Sequence, residues 1–239
     1  MNIVKEEIFN ISNHPPIVEK RIGNDNLIVT VEDVLDDPDF VLKVLKRYPL
    51  TGQENYRLDY FKHSFFGGTT FVPMEAFPLR YVITDIINNR YGFDYSPKDA
   101  NIFIKFNVVN SKTRLESRGL LPHCDNSRFA ANLYLNNFPG GTAFYKSLIL
   151  DSDDYHNVHS HKEKYKKFNQ YRNSIRNENE LVKWNSIDSN PQWKLNHIEK
   201  IKKNKLVIYP GNLFHTMYIK ENYSTVFNKY RYSLAFFVG

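Results

Sequence analysis

From Asn101 to Val238 the chain consists of short runs of alternating residues, and this pattern restricts the fold more than any other feature. Ile102, Ile104, Phe106 and Val108 alternate with Asn101, Phe103, Lys105 and Asn107. A period of two belongs to a strand, because successive side chains leave opposite faces of the backbone. Further runs are read at about 128–136, 142–149, 193–201, 205–210, 213–219 and 231–238, punctuated by turn residues such as Pro139-Gly140-Gly141 and Pro210-Gly211. Aromatic residues make up 15% of the chain, which suits strands. Many short strands imply a sandwich or a closed barrel. No repeat of the length that builds solenoids or propellers is present.

The first hundred residues read differently. Residues 1–25 form a poorly defined lead-in, broken at Asn13-His14-Pro15-Pro16, and Asn26 to Val31 is a short β-prone run. Asp37 is a good N-cap and Pro38 fits the first helical position, with Phe40, Val41, Val44 and Leu45 on one apolar stripe. This helix should stop near Tyr48-Pro49. Residues 51–76 are loop-like. A second helix is predicted from Pro78 to Tyr91, with Leu79, Val82, Ile83, Ile86 and Ile87 on one face and Gly92 at the C-terminal cap. Both helices suit bracing the outside of a sheet. The expected organisation is therefore an N-terminal segment, residues 1–99, supporting a β core over 100–239 within the same domain. An insertion interrupts that core at about 150–192.

At 41% hydrophobic and 24% charged, the composition is that of an ordinary soluble chain. The single cysteine excludes an intrachain disulfide and fits a reducing compartment. The opening residues lack a signal-peptide core and no apolar run approaches membrane-spanning length, so a cytoplasmic location is expected. The formal net charge is +6. Lys162 to Lys205 holds twelve Lys/Arg against five Asp/Glu, a surplus that covers the whole of it. Such a patch is compatible with nucleic acid or another acidic partner. It lacks the spaced aromatics of a single-strand binder, so a solvated face is favoured. The insertion also carries Asp151, Asp153, Asp154, His156, His159 and His161. Six potential ligands in eleven residues invite a metal, but the favoured reading is a polar loop whose carboxylates and imidazoles face water. A loop this long is often a lid, which makes it a candidate for substrate choice.

The chemistry concentrates in His123-Cys124-Asp125 and in His215, 92 residues after His123. Two apart on a strand, His123 and Asp125 point the same way and can reach one ion, while Cys124 turns aside. Two histidines and a carboxylate form the facial triad of non-haem Fe(II) oxygenases, which leaves positions open for a co-substrate and O2. The competing reading is of structural histidines satisfied by backbone groups. His161/Glu163 and His197/Glu199 are rival pairs. Arg231 and Ser233 also share a strand face, and a guanidinium fork with a hydroxyl beside it can hold a carboxylate. No nucleophile elbow or phosphate loop competes.

In order along the chain stand Leu121-Pro122-His123-Cys124-Asp125-Asn126, the run Leu133-Tyr134-Leu135-Asn136, the turn Gly140-Gly141-Thr142-Ala143-Phe144, and the run from Lys205 through Pro210-Gly211 to His215. Arg231-Tyr232-Ser233 follows on the last strand. Over residues 100–239 the chain resembles the Fe(II)/2-oxoglutarate-dependent dioxygenases, in particular their prolyl-hydroxylase-like branch. The resemblance implies a double-stranded β-helix, that is, a cupin-like jelly roll that is mainly β with flanking helices. It implies iron on His123, Asp125 and His215, and the distal carboxylate of 2-oxoglutarate on Arg231 with Ser233. It also implies hydroxylation of a C–H bond of a small molecule, amino acid or peptide by O2, yielding succinate and CO2. The carboxylate of Asp125, replaced by Gly or Ala in related halogenases, favours hydroxylation or another hydrogen-abstraction outcome. Phe106 stands where the branch often has a tyrosine that contacts the co-substrate, so Asn107, Asn132 or Tyr134 is expected to compensate. His215 and Arg231 are 16 residues apart, which predicts an extra loop over 219–229. Two alternatives stay open: a cupin-like protein that binds metal or ligand without turnover, and an oxygenase that modifies nucleic acid.

Overall fold

The computed structural model describes residues 8–47, 68–71, 78–110, 122–155, 162–177, 188–218 and 230–239. The elements run β1 (Ile17–Ile22), β2 (Asn26–Val31), α1 (Pro38–Leu45), β3 (Gly68–Phe71), α2 (Pro78–Tyr91), β4 (Ile102–Asn110), β5 (Phe129–Tyr134), β6 (Gly141–Ser147), α3 (Lys162–Asn177), β7 (Trp193–Lys200), β8 (Lys205–Pro210), β9 (His215–Tyr218) and β10 (Tyr230–Val238). The larger sheet has the order β1-β2-β8-β5-β10-β4-β3 and the smaller β7-β6-β9, with antiparallel pairing. An antiparallel bridge from His123 to His215 extends the smaller sheet beyond β9.

From β4 onward the chain crosses between the sheets. It passes from the larger sheet at β4 to the smaller at His123, back at β5, across at β6 and β7, back at β8, across at β9, and home at β10. That alternation is a jelly roll, mainly β with the helices outside. The expected lead-in is corrected in one place: Ile17–Ile22 is a strand, in a hairpin with β2 from Ile17↔Val31 to Ile22↔Asn26. It lies at the edge of the sheet and only Ile22 is buried, so its charged Glu19-Lys20-Arg21 face carries no core pattern.

Three apolar layers follow from the period of two. Ile102, Ile104, Phe106 and Val108 of β4, with Leu206 and Ile208 of β8, face α1 and α2 and meet Val41, Leu45, Leu79, Ile83 and Ile87. The alternate residues of the same sheet, Ile28, Ala130, Tyr134, Val207 and Tyr209, fill the space between the sheets with Phe144. The outer face of the smaller sheet packs Tyr145, Trp193 and Phe214 against Phe168 of α3. The Asp37 carboxylate caps α1 by accepting from the Phe40 N–H at 2.9 Å, with Pro38 at the first turn, as the sequence predicts. Gly92, at φ +71°, ends α2.

The insertion departs from the expected solvated loop. Phe168 is 1% exposed and belongs to the aromatic layer. Asp153 is 4% exposed and does not face water. Its carboxylate accepts from the Asn24 backbone N–H and from Asn196 Nδ2 at 2.8 Å, joining the β1–β2 turn to β7. Hydrogen-bond donors of this kind offset the cost of burying a carboxyl group. His156, His159, His161 and the loop over 219–229 lie outside the described residues.

Candidate metal centre

The Pro210-Gly211 turn that closes β8 sets the geometry of the His-x-Asp segment. Gly211 accepts from the Asp125 N–H at 2.8 Å and donates to the Arg128 carbonyl at 2.9 Å. His123 and His215 exchange backbone hydrogen bonds of 2.9 Å each way, so the two rings are neighbours with centroids 4.7 Å apart. The ligand atoms of His123, Asp125 and His215 all lie within 4.8 Å of one another. Among the described residues these three form the group of His, Cys, Asp and Glu able to hold a metal. The rival His197 Nε2 lies 3.0 Å from Glu199 Oε2, and Glu199 also receives Lys205 Nζ, so that pair belongs to a structural ion network. His161 lies outside the described residues.

The donor chemistry fits a cation. His215 Nδ1 is 2.8 Å from the Leu213 carbonyl, an acceptor that orients the ring and turns Nε2 toward Asp125. Nε2 lies 3.3 Å from Asp125 Oδ2, so a cation placed between them would take both atoms as ligands. Burial works to raise the Asp125 carboxyl. The hydrogen bond to His215 and the charges of His215, His123 and Lys105 outweigh it, and the group lies below its ordinary value. Asp125 is therefore an anion ready to bind metal.

Behind the triad lies a cavity of about 120 Å³, lined among others by His123, Asp125, His215, Asn132, Arg231 and Ser233. Arg231 is 6% exposed. Its guanidinium carbon sits 5.5 Å from the centre of the Tyr134 ring, and its Nε has no hydrogen-bond partner. No described carboxylate pairs with it. Burial pushes its pKa down, opposed by Tyr134 and Tyr209. A buried, unpaired cation is costly unless an anion joins it. Asn107 lines the same cavity with a buried Oδ1 lacking a partner. The cavity thus offers unfilled polar groups suited to a small carboxylate.

The structure refines the residues expected around that cavity. Asn132 lines it and donates to the Tyr209 hydroxyl at 3.1 Å. Tyr134 lies under Arg231, fully buried, its hydroxyl 2.7 Å from Thr142 Oγ1. Phe106 faces the helices and stacks on Tyr232, so Asn107 is the neighbour that reaches the interior. Tyr209 is a site residue that the sequence reading does not single out. Its ring packs against His215 with centroids 4.8 Å apart, and burial together with the Asp125 charge holds its hydroxyl far above the ordinary tyrosine range. Period two on β8 carries the signal, since Tyr209 shares the inner face with Val207.

On the other side of the triad a cavity of about 870 Å³ opens to the surface. His123 and Asp125 line both spaces. Its wall includes Tyr91, Phe93, Arg128, Tyr155, Phe168 and Phe214.

The fold and site define a jelly roll with a two-histidine, one-carboxylate candidate metal centre between a small inner cavity and a large outer one. The chain belongs to the family described as "Family of unknown function (DUF6445)", whose model matches residues 13–238. No curated protein matches the sequence. Among solved structures the chain is similar to the crystal structure of IDO from Bacillus thuringiensis. Identity there is 9% over 67% of this chain and 55% of that one, with a TM-score of 0.33. It is also similar to a prolyl-4-hydroxylase from Pseudomonas putida, at 11% identity over 72% of this chain and 70% of that one, with a TM-score of 0.33. The chain spans little more than half the length of the first. At these values neither likeness bears on the chemistry. Among the described residues no helix is long and apolar enough to cross a membrane.

Proposed function

We propose that this protein is an Fe(II)- and 2-oxoglutarate-dependent oxygenase that hydroxylates an unactivated C–H bond of a small-molecule, amino-acid or peptide substrate. The carrying observation is the buried, uncompensated Arg231 in a cavity that shares its wall with His123, Asp125 and His215. A metal-binding cupin without turnover has no need of that guanidinium. Three protein ligands leave open positions on an iron ion, as this class of chemistry requires. When bound, iron and 2-oxoglutarate supply oxidation of the C–H bond by O2, with release of succinate and CO2.

The chain's own residues divide the remaining work. Asp125 offsets the charge of the ion, and the Leu213 carbonyl orients His215 through Nδ1. Arg231 and Ser233 hold a carboxylate at the inner end, on a scaffold fixed by the Tyr134–Thr142 and Asn132–Tyr209 hydrogen bonds. The aromatic walls keep water away from the reacting bond. Anaerobic Fe(II) titration is the test: His215→Ala and Asp125→Ala should each lose the metal. With Fe(II) and ascorbate, the wild type should turn 2-oxoglutarate into succinate, faster when a substrate is present. Unchanged iron binding in both variants removes the triad. Iron binding without succinate across a broad substrate panel returns the cupin reading.

A further inference from the structure

The outer cavity has a consistent chemical character. Arg128 lines it, its guanidinium carbon 5.1 Å from the centre of the Phe93 ring. No described carboxylate forms an ion pair with Arg128. Asp125 is the one acid among the described lining residues, and it belongs to the metal triad. With Asp125 committed to the metal, a cationic group entering here finds no other acid among the described lining residues, whereas an anion finds Arg128. A single arginine beside a ring matches one planar carboxylate by its fork of donors. A phosphate dianion usually takes several donors or a helix N-terminus.

One part of the wall is aromatic, beside a polar part with Asn26, Asn126, Ser127 and Asn212, and its two tyrosines have their polar ends engaged elsewhere. The Tyr91 hydroxyl donates to the carbonyls of Leu27 and Ile208, at 3.2 and 3.1 Å. The Tyr155 hydroxyl donates to Tyr165 at 2.7 Å. Those two residues therefore offer ring surface rather than donors, beside Phe93, Phe168 and Phe214. Tyr155 and Phe168 come from the insertion, which is how that segment reaches the site. A volume of about 870 Å³ lies in the range of small-molecule sites.

We infer that the substrate is a small carboxylic acid with an aromatic or bulky apolar body, its carboxylate on Arg128 and its body against the Phe168–Phe214 wall. The inference rests on the oxygenase reading for the word substrate, and on the cavity alone for the binding preference. Calorimetric titration with three matched probes tests it: 3-phenylpropanoate, 3-phenylpropanamide and 3-phenylpropan-1-amine. The acid should bind about tenfold or more tighter than the amide, with the amine weakest. Arg128→Gln should erase that order and Arg128→Lys should keep part of it. Arg231→Ala should leave the order intact, because its guanidinium belongs to the inner cavity. Four results would overturn the proposal: equal affinities, an amine preference, no binding by any probe, or an acid preference that survives in Arg128→Gln and vanishes in Arg231→Ala. Succinate formation, assayed separately, keeps the two readings apart. An Arg128-dependent acid preference without succinate removes only the oxygenase, and succinate without the preference removes only the substrate class.

Discussion

Gly211 ties the candidate metal centre to the end of β8 without being a candidate ligand. A Cβ on Gly211 would stand 2.2 Å from the Ser127 carbonyl oxygen and 3.2 Å from Ser127 Oγ. The first contact is roughly 1 Å closer than nonbonded atoms approach. Backbone must therefore move, because no flexible side chain is there to yield. If the 125–128 segment moves, it takes the Asp125 N–H from the Gly211 carbonyl and the Arg128 carbonyl from the Gly211 N–H. Overpacking of this kind costs about 1–3 kcal/mol, and weakening two hydrogen bonds adds roughly 1 kcal/mol. Gly211→Ala should thus lose on the order of 2–4 kcal/mol, or about 10 °C in Tm for a chain of this size. Metal geometry tolerates only about 0.2 Å, so a displaced Asp125 should weaken Fe(II) about tenfold to a hundredfold, the range found when a ligand's support is removed. Gly92→Ala is the control. Gly92 sits at φ +71° with nothing within 4 Å of its Cβ position. It should cost about 1 kcal/mol by backbone strain and leave iron affinity unchanged. Thermal unfolding and anaerobic Fe(II) titration read both effects. Wild-type iron affinity in Gly211→Ala would refute the claim that this glycine positions Asp125.

Arg231→Ala should weaken 2-oxoglutarate about a hundredfold, as removing a buried charge partner does, and Arg231→Lys should restore it only in part. Both variants should keep their iron, and wild-type co-substrate affinity in Arg231→Ala would move the carboxylate elsewhere. Asp153→Ala strands the Asn24 N–H and the Asn196 amide, so urea unfolding should show a loss of roughly 1–3 kcal/mol or more; a neutral result would mean the latch does not stabilise the fold. Glu199 gives a pH prediction. Burial works to raise its carboxyl, but His197 and Lys205 hold it below the ordinary glutamate value. A depressed folded-state pKa contributes stability that is present above the unfolded value and lost as pH falls through the folded one. Glu199→Gln should therefore be less stable than the wild type at neutral pH, and the gap should close in acid. A gap independent of pH would show that the charge on Glu199 does not matter.

What is legible in the sequence is local, and the reason is geometric. A period of two is written in consecutive residues, so β4, β5, β8 and β10 can be read directly, as can the common face of Arg231 and Ser233. The helix α1 is legible because Asp37 and Pro38 act on their own neighbours. Contacts between distant residues leave no such trace. Asp153 reads as one more acid in a polar run, and only the fold brings Asn24 and Asn196 to it. Phe168 sits in a Lys-rich helix with a face that finds Trp193 and Phe214 only after the sheet has closed. The strand β1 escapes a sequence reading because an edge strand with charges outward has little core pattern to show.

The inner cavity sharpens the point, because each of its walls is read from a different strand. Asn107 comes from β4, Asn132 from β5, Tyr209 from β8, His215 from β9 and Arg231 from β10. No spacing rule links five strands whose connections range from a short turn to the long insertion. Alternation says which side of its strand each residue takes, but the strand order β8-β5-β10-β4 decides that those sides converge. Once that order is fixed, period two puts Tyr209 beside His215 and Asn107 at the same cavity as Arg231. The two unfilled polar atoms in that space, Arg231 Nε and the Asn107 Oδ1, are then a consequence of topology. Four antiparallel strands deliver polar inner faces to one point, and the guanidinium there is left with donors of the kind that suit a carboxylate.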